Sequence, residues 1–442
     1  STEKKGKIVA SQDYTAASYN GSLIEIAGED ASMTMESGNI SAVRETPDSN
    51  GQYGVGVTDG GDFTMTGGKI EAGWFAVAGN GNYKTQNSII NITDGELIST
   101  ADYAVYLPQS GTTTISGGKV YGAAGGVCIQ RGTLNVEGTA LITSKGTGST
   151  GNWGDGTGGL DCAAINVSGA YGIATVNIKG GTLIAEAKSL ITEGTTYTPV
   201  INVTGGTFSD PSVLKYMATN ATVDIKLLSN INIAKTELAT GYILNAANAT
   251  ANLNLNGHDI INSSETADAT PFTQIFTVQN GTLNISGNGN VKCDASATAK
   301  DDGYRMVIEA RGYGTVNIHG GSYYNTQKLN TQIDLIYARE NGKINIYGGT
   351  FESGKYGTPN NDTDGRYWVL NLKNTDKNTA SIQVSGGTFI NFNPANPNMD
   401  DNESYLVTGY EVTRDGSVYT AAHKVGDGRK EYIVGQTSQE NR

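Results

Sequence analysis

The chain of 442 residues has few of the residues that build a thick core or a charged surface. It contains 8 Phe and 3 Trp, and charged residues make up only 17% of it. A conventional large globular core is therefore not expected. Hydrophobic residues still make up 37% of the chain and recur in ordered triplets, which argues against a disordered polar chain.

Cysteine and histidine are also scarce. The cysteines are Cys128, Cys162 and Cys293, and the histidines are His258, His319 and His423. No cysteine has a metal-ligand spacing, so we expect packed thiols rather than disulfides or a metal site. Hydrolysis of uronate chains would need an Asp cluster beside a His and basic residues, and no histidine has such neighbours. We therefore expect no catalytic residue and no cofactor.

Long apolar runs and excess positive charge are missing as well. No stretch approaches the ~20 apolar residues that span a bilayer. The opening STEKKGKIV lacks a signal-peptide core, so we expect a trimmed chain whose signal or anchor lies elsewhere. A net charge of −13 repels phosphate backbones and anionic lipids. Nucleic acid and membrane insertion by this segment are not expected.

What the chain does have is a repeated motif rich in glycine, which occurs 60 times. Each copy alternates apolar and polar residues, reaches Gly or Gly-Gly, and continues with a short β-prone run. The copies begin at Met33, Phe63, Ile90, Thr113, Leu134, Val176, Ile201, Leu253, Leu283, Val316, Ile344 and Ile382. A strand alternation broken by a glycine bend predicts one turn of a repeat fold per copy.

Stacked copies predict an all-β fold, a right-handed parallel β-helix (solenoid), because equivalent strands pair in parallel and crossovers are right-handed. The rhythm breaks at 211–256, where a short helix is possible. We therefore expect one unit over 1–220 and a second over 221–403, stacked on the first. Residues 404–442 would form a C-terminal hairpin cap and tail.

The central polar residues of the copies should form a ladder on the outside of one sheet. They are Thr64, Asn91, Thr114, Asn135, Asn177, Asn202, Asn254, Asn284, Asn317, Asn345 and Gln383. Stacked amides that bond from turn to turn would fix the register. Ice binding is not expected, because the next outward column, with Glu137, Lys179, His319 and Tyr347, is too uneven for a lattice.

Several segments carry a family resemblance. They are the GGTF corners at 205–208, 348–351 and 386–389, VDIKLLSNINI followed by LNLNGHDII, FTVQNGTLNISGNGNVK, and YLVTGYEVTRDGSVYT. These resemble the pectate-lyase-like β-helix regions of secreted or surface-attached proteins of gut bacteria, over nearly the whole chain. The resemblance implies a pectin-lyase-like fold, a bacterial cell-surface or extracellular setting and a role such as adhesion. It implies no catalytic residues.

Superposing three copies predicts a basic column on one outer face. Arg311, Arg339 and Lys373 align, and Glu309, Tyr337 and Asn371 lie two residues earlier on the same face. Such a column suits carboxylate or sulfate groups, with Tyr337 as a platform for a sugar. The alternative is a self-paired ladder in which Glu309 and Glu340 neutralise the arginines.

Two further candidates rest on single segments. Trp153 lies in the Gly-rich stretch 144–160, where it could bind a ligand or fold back over the repeats. Asn360, Asp362 and Asp364 match the start of a calcium loop, but Asn371 stands where the closing Glu belongs, so a polar turn is the favoured interpretation.

The preferred function is non-enzymatic binding of a polysaccharide or another host or cell-surface macromolecule by a monomer, with the lateral sheets as the contact surface. One alternative is a polysaccharide lyase or glycoside hydrolase whose carboxylates the pattern does not reveal. Another is a structural stalk. New reducing ends or unsaturated uronides in a polysaccharide screen would indicate the enzyme, and retention without turnover would indicate the binder.

Overall fold

The structure is a computed structural model that describes twelve stretches of the chain. These are residues 7–9, 21–43, 52–80, 87–150, 157–194, 196–233, 241–262, 272–293, 304–325, 333–353, 367–397 and 403–424. Trp153 and the calcium candidates Asn360, Asp362 and Asp364 lie outside these stretches.

The described residues are mostly strands. The first twelve are β1 (Lys7–Val9), β2 (Ser22–Ala27), β3 (Ser32–Met35), β4 (Asn39–Ala42), β5 (Tyr53–Thr58), β6 (Asp62–Ala72), β7 (Val77–Ala78), β8 (Ser88–Ser99), β9 (Tyr103–Leu107), β10 (Gly111–Ile115), β11 (Lys119–Gly122) and β12 (Gly125–Ile129). The next are β13 (Gly132–Val136), β14 (Leu141–Ser144), β15 (Ala163–Val167), β16 (Ala174–Ile178), β17 (Thr182–Ala185), β18 (Lys188–Thr192), β19 (Val200–Val203), β20 (Thr207–Phe208), β21 (Thr222–Lys226), β22 (Ile231–Ile233), β23 (Tyr242–Asn254) and β24 (Ile260–Asn262). The last are β25 (Phe272–Ser286), β26 (Asn290–Cys293), β27 (Tyr304–Ile318), β28 (Ser322–Asn325), β29 (Ile333–Ala338), β30 (Lys343–Ile346), β31 (Thr350–Ser353), β32 (Tyr367–Leu372), β33 (Ser381–Val384), β34 (Thr388–Ile390), β35 (Tyr410–Asp415) and β36 (Val418–His423).

The fold is all-β and consists of long parallel sheets. In the described part of the chain the strands form sheets of 21, seven and eight strands, and helical structure is limited to two 3-10 segments, Pro211–Tyr216 and Asn374–Asp376. Strands pair in parallel with their equivalents in the next repeat, as β10 does with β8 and β13. The last two strands depart from this pattern, because β36 pairs antiparallel with both β34 and β35.

Strand alternation places the apolar residues of each motif inside. Val176 and Ile178 are fully buried, whereas Asn177 between them is partly exposed. One buried apolar cluster runs through the repeats from Ile26 to Ala421. At the corners, the second glycine of a Gly-Gly pair has a positive φ, as in Gly181 at 81°, which glycine adopts without strain.

The predicted register holds through most of the motif but is wrong at Leu253. Met33 pairs with Phe63 and Val176 with Ile201, as aligned, but Leu253 pairs with Ile285 rather than with Leu283. Asn252, not Asn254, therefore occupies the ladder position opposite Asn284. The cause is the segment Leu253–Asn256, whose double Leu-Asn alternation fits the pattern equally well two residues apart.

The strand pairing changes in the region where the repeat pattern was predicted to break. β20 pairs with β17 on one side and with β21 on the other, and β21 pairs with β23. Within the large sheet, the strands that follow the glycine corner in the earlier repeats are therefore neighbours of the strands that precede the corner in the later repeats. The seven-stranded sheet ends at β18, and the eight-stranded sheet begins with β22. The 3-10 segment Pro211–Tyr216 contacts β18, β19 and β23. The division into units at 220 and 403 stays a prediction.

A second apolar cluster covers the outer face of the seven-stranded sheet. Its buried members are Tyr53, Trp74, Phe75, Ala78, Tyr103, Tyr106 and Cys128. Leu160, at the end of the Gly-rich stretch, packs against them. Thr157 is fully buried and donates from Oγ1 to Oδ2 of Asp102 over 3.0 Å. The described ends of the Gly-rich stretch therefore fold over this sheet.

Candidate functional site

The strand pairing aligns the residues of the basic column as the superposition of the three sequence copies predicted. Glu309 on β27 pairs with Tyr337 on β29, and Tyr337 pairs with Asn371 on β32. The backbone N–H of Arg339 donates to the carbonyl of Ala310, one residue before Arg311. The N–H of Lys373 likewise bonds to Ala338, so the three basic residues occupy equivalent places in successive repeats.

Glu309 is the centre of an ion-pair network in this column. Its side chain is only 2% exposed, and its Oε1 accepts a bond from Nε of Arg339 over 2.6 Å. Nη1 of Arg311 lies 3.9 Å from its Oε2, which also faces Gln274 and Thr277 at 3.4 and 3.5 Å. The buried carboxylate is thereby compensated by two guanidinium groups.

The exposed side of the network is also paired. Nη1 of Arg339 contacts Oε1 of Glu340, whose Oε2 accepts the N–H of Gly312 over 2.9 Å. Nζ of Lys373 lies 3.5 Å from Oδ2 of Asp376. This is the self-paired arrangement that the sequence left open as the alternative. Nε of Arg311 is buried without a hydrogen-bond partner in the described stretches, and a ligand role for the column stays a prediction.

Two side chains of the column, Tyr337 and Arg339, have pKa values shifted by their surroundings. Burial, with the charge of Asp334 beside it, raises the pKa of Tyr337 to about 12, so the phenol is neutral at pH 7. Burial alone would lower the pKa of Arg339, but its bond to Glu309 and the charges of Glu309 and Glu340 raise it overall. Neither Tyr337 nor Arg339 is therefore tuned to exchange protons near neutrality.

The polar ladder is present as hydrogen bonds from repeat to repeat. Nδ2 of Asn317 donates to Oδ1 of Asn284 over 2.8 Å, and Asn345 donates to Asn317 over the same distance. The series begins with Asn252, which donates to Asp224 and accepts from Asn284. An earlier stretch joins Thr114, Asn135, Asn177 and Asn202. Because a carboxamide has two donors and two lone pairs, each ladder amide can still bond outward.

Exposed aromatic rings frame the ladder in the later repeats. The rings of His319 and Tyr347 stack with centroids 4.7 Å apart and planes inclined by 10°, and Tyr347 is 50% exposed. Tyr313 on β27 lies six residues before His319, which directly follows the end of that strand, and is 76% exposed. At ~3.3 Å per residue, the two ends of this aromatic frame lie about 20 Å apart.

We name this surface the ladder face. It consists of Thr282, Asn284, Tyr313, Thr315, Asn317, His319, Lys343, Asn345 and Tyr347. Lys343 and His319 are its ionisable side chains besides the tyrosines, and no carboxylate belongs to it. In the flanking repeats, Ser286 and Ser385 take the places of His319 and Tyr347, as the backbone bonds of His319 to Ile285 and of Ser385 to Ile346 show. Small neighbours leave the outer ring faces of the stacked pair open.

The sequence pattern placed His319 and Tyr347 in one column but treated them as an irregularity. Strand alternation from Asn317 and Asn345 already predicts that both side chains point outward. What it could not indicate is that the rings stack or that Tyr313 is so exposed. These depend on the paired register of β27 and β30 and on the bend at Gly312, where φ is 59°.

A part-buried polar cluster lies beside the described C-terminal end of the Gly-rich stretch. Oε1 of Glu193 accepts the N–H of Asp161 over 2.6 Å and contacts Nδ2 of Asn166. The hydroxyl of Tyr103 donates to the carbonyl of Asp161 over 2.5 Å. Burial, aided by the charge of Asp161, raises the pKa of Glu193. Glu193 thus fixes the end of the Gly-rich stretch to the seven-stranded sheet.

Among the described residues, no group of three or more His, Cys, Asp or Glu side chains is arranged to hold a metal ion. Nor does that part of the chain contain a helix long and apolar enough to cross a bilayer. No family model, no curated protein and no solved structure matches the chain.

Proposed function

We propose that the chain is a right-handed parallel β-helix with a C-terminal hairpin cap that binds a polysaccharide on its ladder face without cleaving it. The parallel pairing of successive repeats supports the fold, and right-handed crossovers are the rule for such connections. The antiparallel pairing of β36 with β34 supports the cap, because it covers a sheet edge that would otherwise be open. A bacterial surface or extracellular setting belongs to the same proposal.

The single observation that carries the binding function is the aromatic frame around the amide ladder. Sugar rings present apolar C–H faces that pack on exposed aromatic rings, and hydroxyl groups that bond to amides. Tyr347 supplies an open ring face, Tyr313 supplies a second one, and Asn317 lies between them on the face. A frame of about 20 Å is suited to an extended chain of several sugars rather than to a single sugar.

The charges of the ladder face also favour a polysaccharide ligand. The chain as a whole has a net charge of −13, yet the face holds Lys343 and no carboxylate. The net negative charge of the chain therefore repels anionic macromolecules, whereas the ladder face lacks the carboxylates that would repel them. The rigidity of paired strands keeps the rings and amides in place before binding, which reduces the entropy lost on association.

The experiment is a retention and turnover screen with neutral and acidic polysaccharides. We expect the protein to be retarded in gels that contain at least one polysaccharide, with no new reducing ends and no unsaturated uronides. The double variant Tyr313→Ala/Tyr347→Ala should lose the retardation. Product formation would replace this proposal by the enzyme alternative, and absence of retardation in every gel would leave only the structural stalk.

A further inference from the structure

A cleft of about 560 Å³ lies between the last strand of the seven-stranded sheet and the first strand of the eight-stranded sheet. One wall is the last strand of the seven-stranded sheet, with Lys188 and Leu190. The opposite wall is the first strand of the eight-stranded sheet, Ile231–Ile233. The start of the 3-10 segment, with Pro211 and Ser212, closes a third side. The cleft is remote in sequence from the ladder face, which begins at Thr282.

The open edge of β18 is capped by side chains. The N–H of Ser189 donates to the carboxylate of Asp210, which also accepts the N–H of Ser212 over 2.9 Å. The hydroxyl of Ser212 donates to the carbonyl of Leu190 over 3.1 Å. Asp210 is only 5% exposed. These side chains take the place of a neighbouring strand, so the gap in the sheet is a built feature and an added strand cannot pair with this part of β18.

The lining of the cleft combines an apolar floor with polar walls. Ile191, Ile231 and Ile243 line the cleft and are partly exposed, so their side chains supply the accessible apolar floor. Asp161, Glu186, Lys188, Lys215, Asn230 and Asn232 supply charged groups and amides around it. The lining holds two lysines, Lys188 and Lys215, and the carboxylates of Asp161 and Glu186, while the Asp210 carboxylate is engaged in capping. The balance favours neither a strong anion nor a strong cation.

We propose that this cleft binds a short oligosaccharide of two or three rings, at a site separate from the ladder face. The volume falls within the range of small-molecule sites, ~300–1,000 Å³. The apolar floor suits the C–H face of a sugar, and the mixed donors and acceptors of the walls suit hydroxyl groups. An extended peptide is disfavoured because the capped groups of Ser189 and Leu190 cannot bond to its backbone.

The test measures thermal unfolding with millimolar maltotriose, cellotriose, chitotriose or trigalacturonic acid as separate probes. A ligand that binds only the folded state raises the midpoint temperature. We expect at least one trisaccharide to raise it in the unmodified protein. Asn232→Trp should abolish the shift by filling the cleft, whereas Leu228→Trp, at an exposed residue nearby, should keep it.

If Asn232→Trp does not fold, Lys215→Ala replaces it and should reduce the shift severalfold. Failure of all four trisaccharides to shift the midpoint, or an undiminished shift in the cleft variant, would overturn the proposal. A variant-sensitive shift with the peptide Val-Thr-Val-Thr-Val, and none with the sugars, would assign the cleft to a peptide instead.

Discussion

Arg339 donates from Nε to Oε1 of Glu309 over 2.6 Å, and this bond connects two neighbouring repeats. The carboxylate is almost completely buried, whereas the guanidinium is 25% exposed. Removing the arginine would leave a buried charge with Arg311, at 3.9 Å, as its remaining cationic partner. The bond therefore makes Arg339 a residue on which the fold depends, whatever else it binds.

Arg339→Ala should lower the free energy of unfolding by about 3 kcal/mol, the order found when one partner of a buried ion pair is removed. Lys373→Ala is the matched control, because Lys373 is 44% exposed and loss of its 3.5 Å pair with Asp376 should cost under about 1 kcal/mol. Urea unfolding at pH 7 measures both. Equal, small losses would mean that Glu309 is not stabilised by Arg339.

The raised pKa of Glu193 predicts a pH dependence of stability. Since the folded-state pKa lies above the unfolded one, the folded state binds a proton more tightly, and its contribution to stability falls as pH rises through that window. Glu193→Gln keeps an acceptor for the N–H of Asp161 and removes the charge. The variant should melt at a higher temperature than the unmodified protein at pH 7, and the difference should shrink as the pH falls below the ordinary Glu range.

Glu186→Gln provides the comparison for this pH series, because it neutralises an exposed carboxylate in the same part of the chain. It should follow the unmodified protein at every pH. If Glu193→Gln behaves in the same way, burial of the Glu193 carboxylate has no energetic consequence.

The amide ladder should contribute measurably to stability. Asn317→Ala removes one bond to Asn284 and one from Asn345, and at ~0.5–1.5 kcal/mol per bond the loss should be about 2 kcal/mol. Thr315→Ala, two residues earlier on the same outer face, lies outside the ladder and should cost clearly less. Chemical denaturation measures the free energy of unfolding of both variants. An equal loss in the two would show that the ladder hydrogen bonds do not contribute to stability.

Much of the fold follows from local pattern. The alternation in Val176–Ile178 predicts an inward pair and an outward amide, and glycine at Gly181 predicts the corner, because both depend only on strand geometry and backbone freedom. The error at Leu253 shows the limit of this logic. A pattern with period two cannot tell a register from one shifted by two residues, and only the pairing with Ile285 resolves it.

The sites were less predictable than the fold. Arg339 and Glu309 could be placed in adjacent repeats from the sequence, but whether they bind each other or a ligand depends on burial, which pattern does not report. In the sequence, the only sign of the cleft between the seven-stranded and eight-stranded sheets is the break in the repeat pattern at 211–256. The capping of the β18 edge by Asp210 and Ser212 depends on contacts between segments some 20 residues apart in sequence.

The ladder face is tested most directly by titrating the protein with the polysaccharide that retards it and measuring the dissociation constant by calorimetry. Tyr313→Ala/Tyr347→Ala should weaken binding at least tenfold, since exposed aromatic anchors dominate such interfaces. Tyr171→Ala, which removes a 45% exposed tyrosine from an earlier repeat, should leave the constant unchanged. An unchanged constant in the double variant, with its fold intact by circular dichroism, would contradict binding at the ladder face.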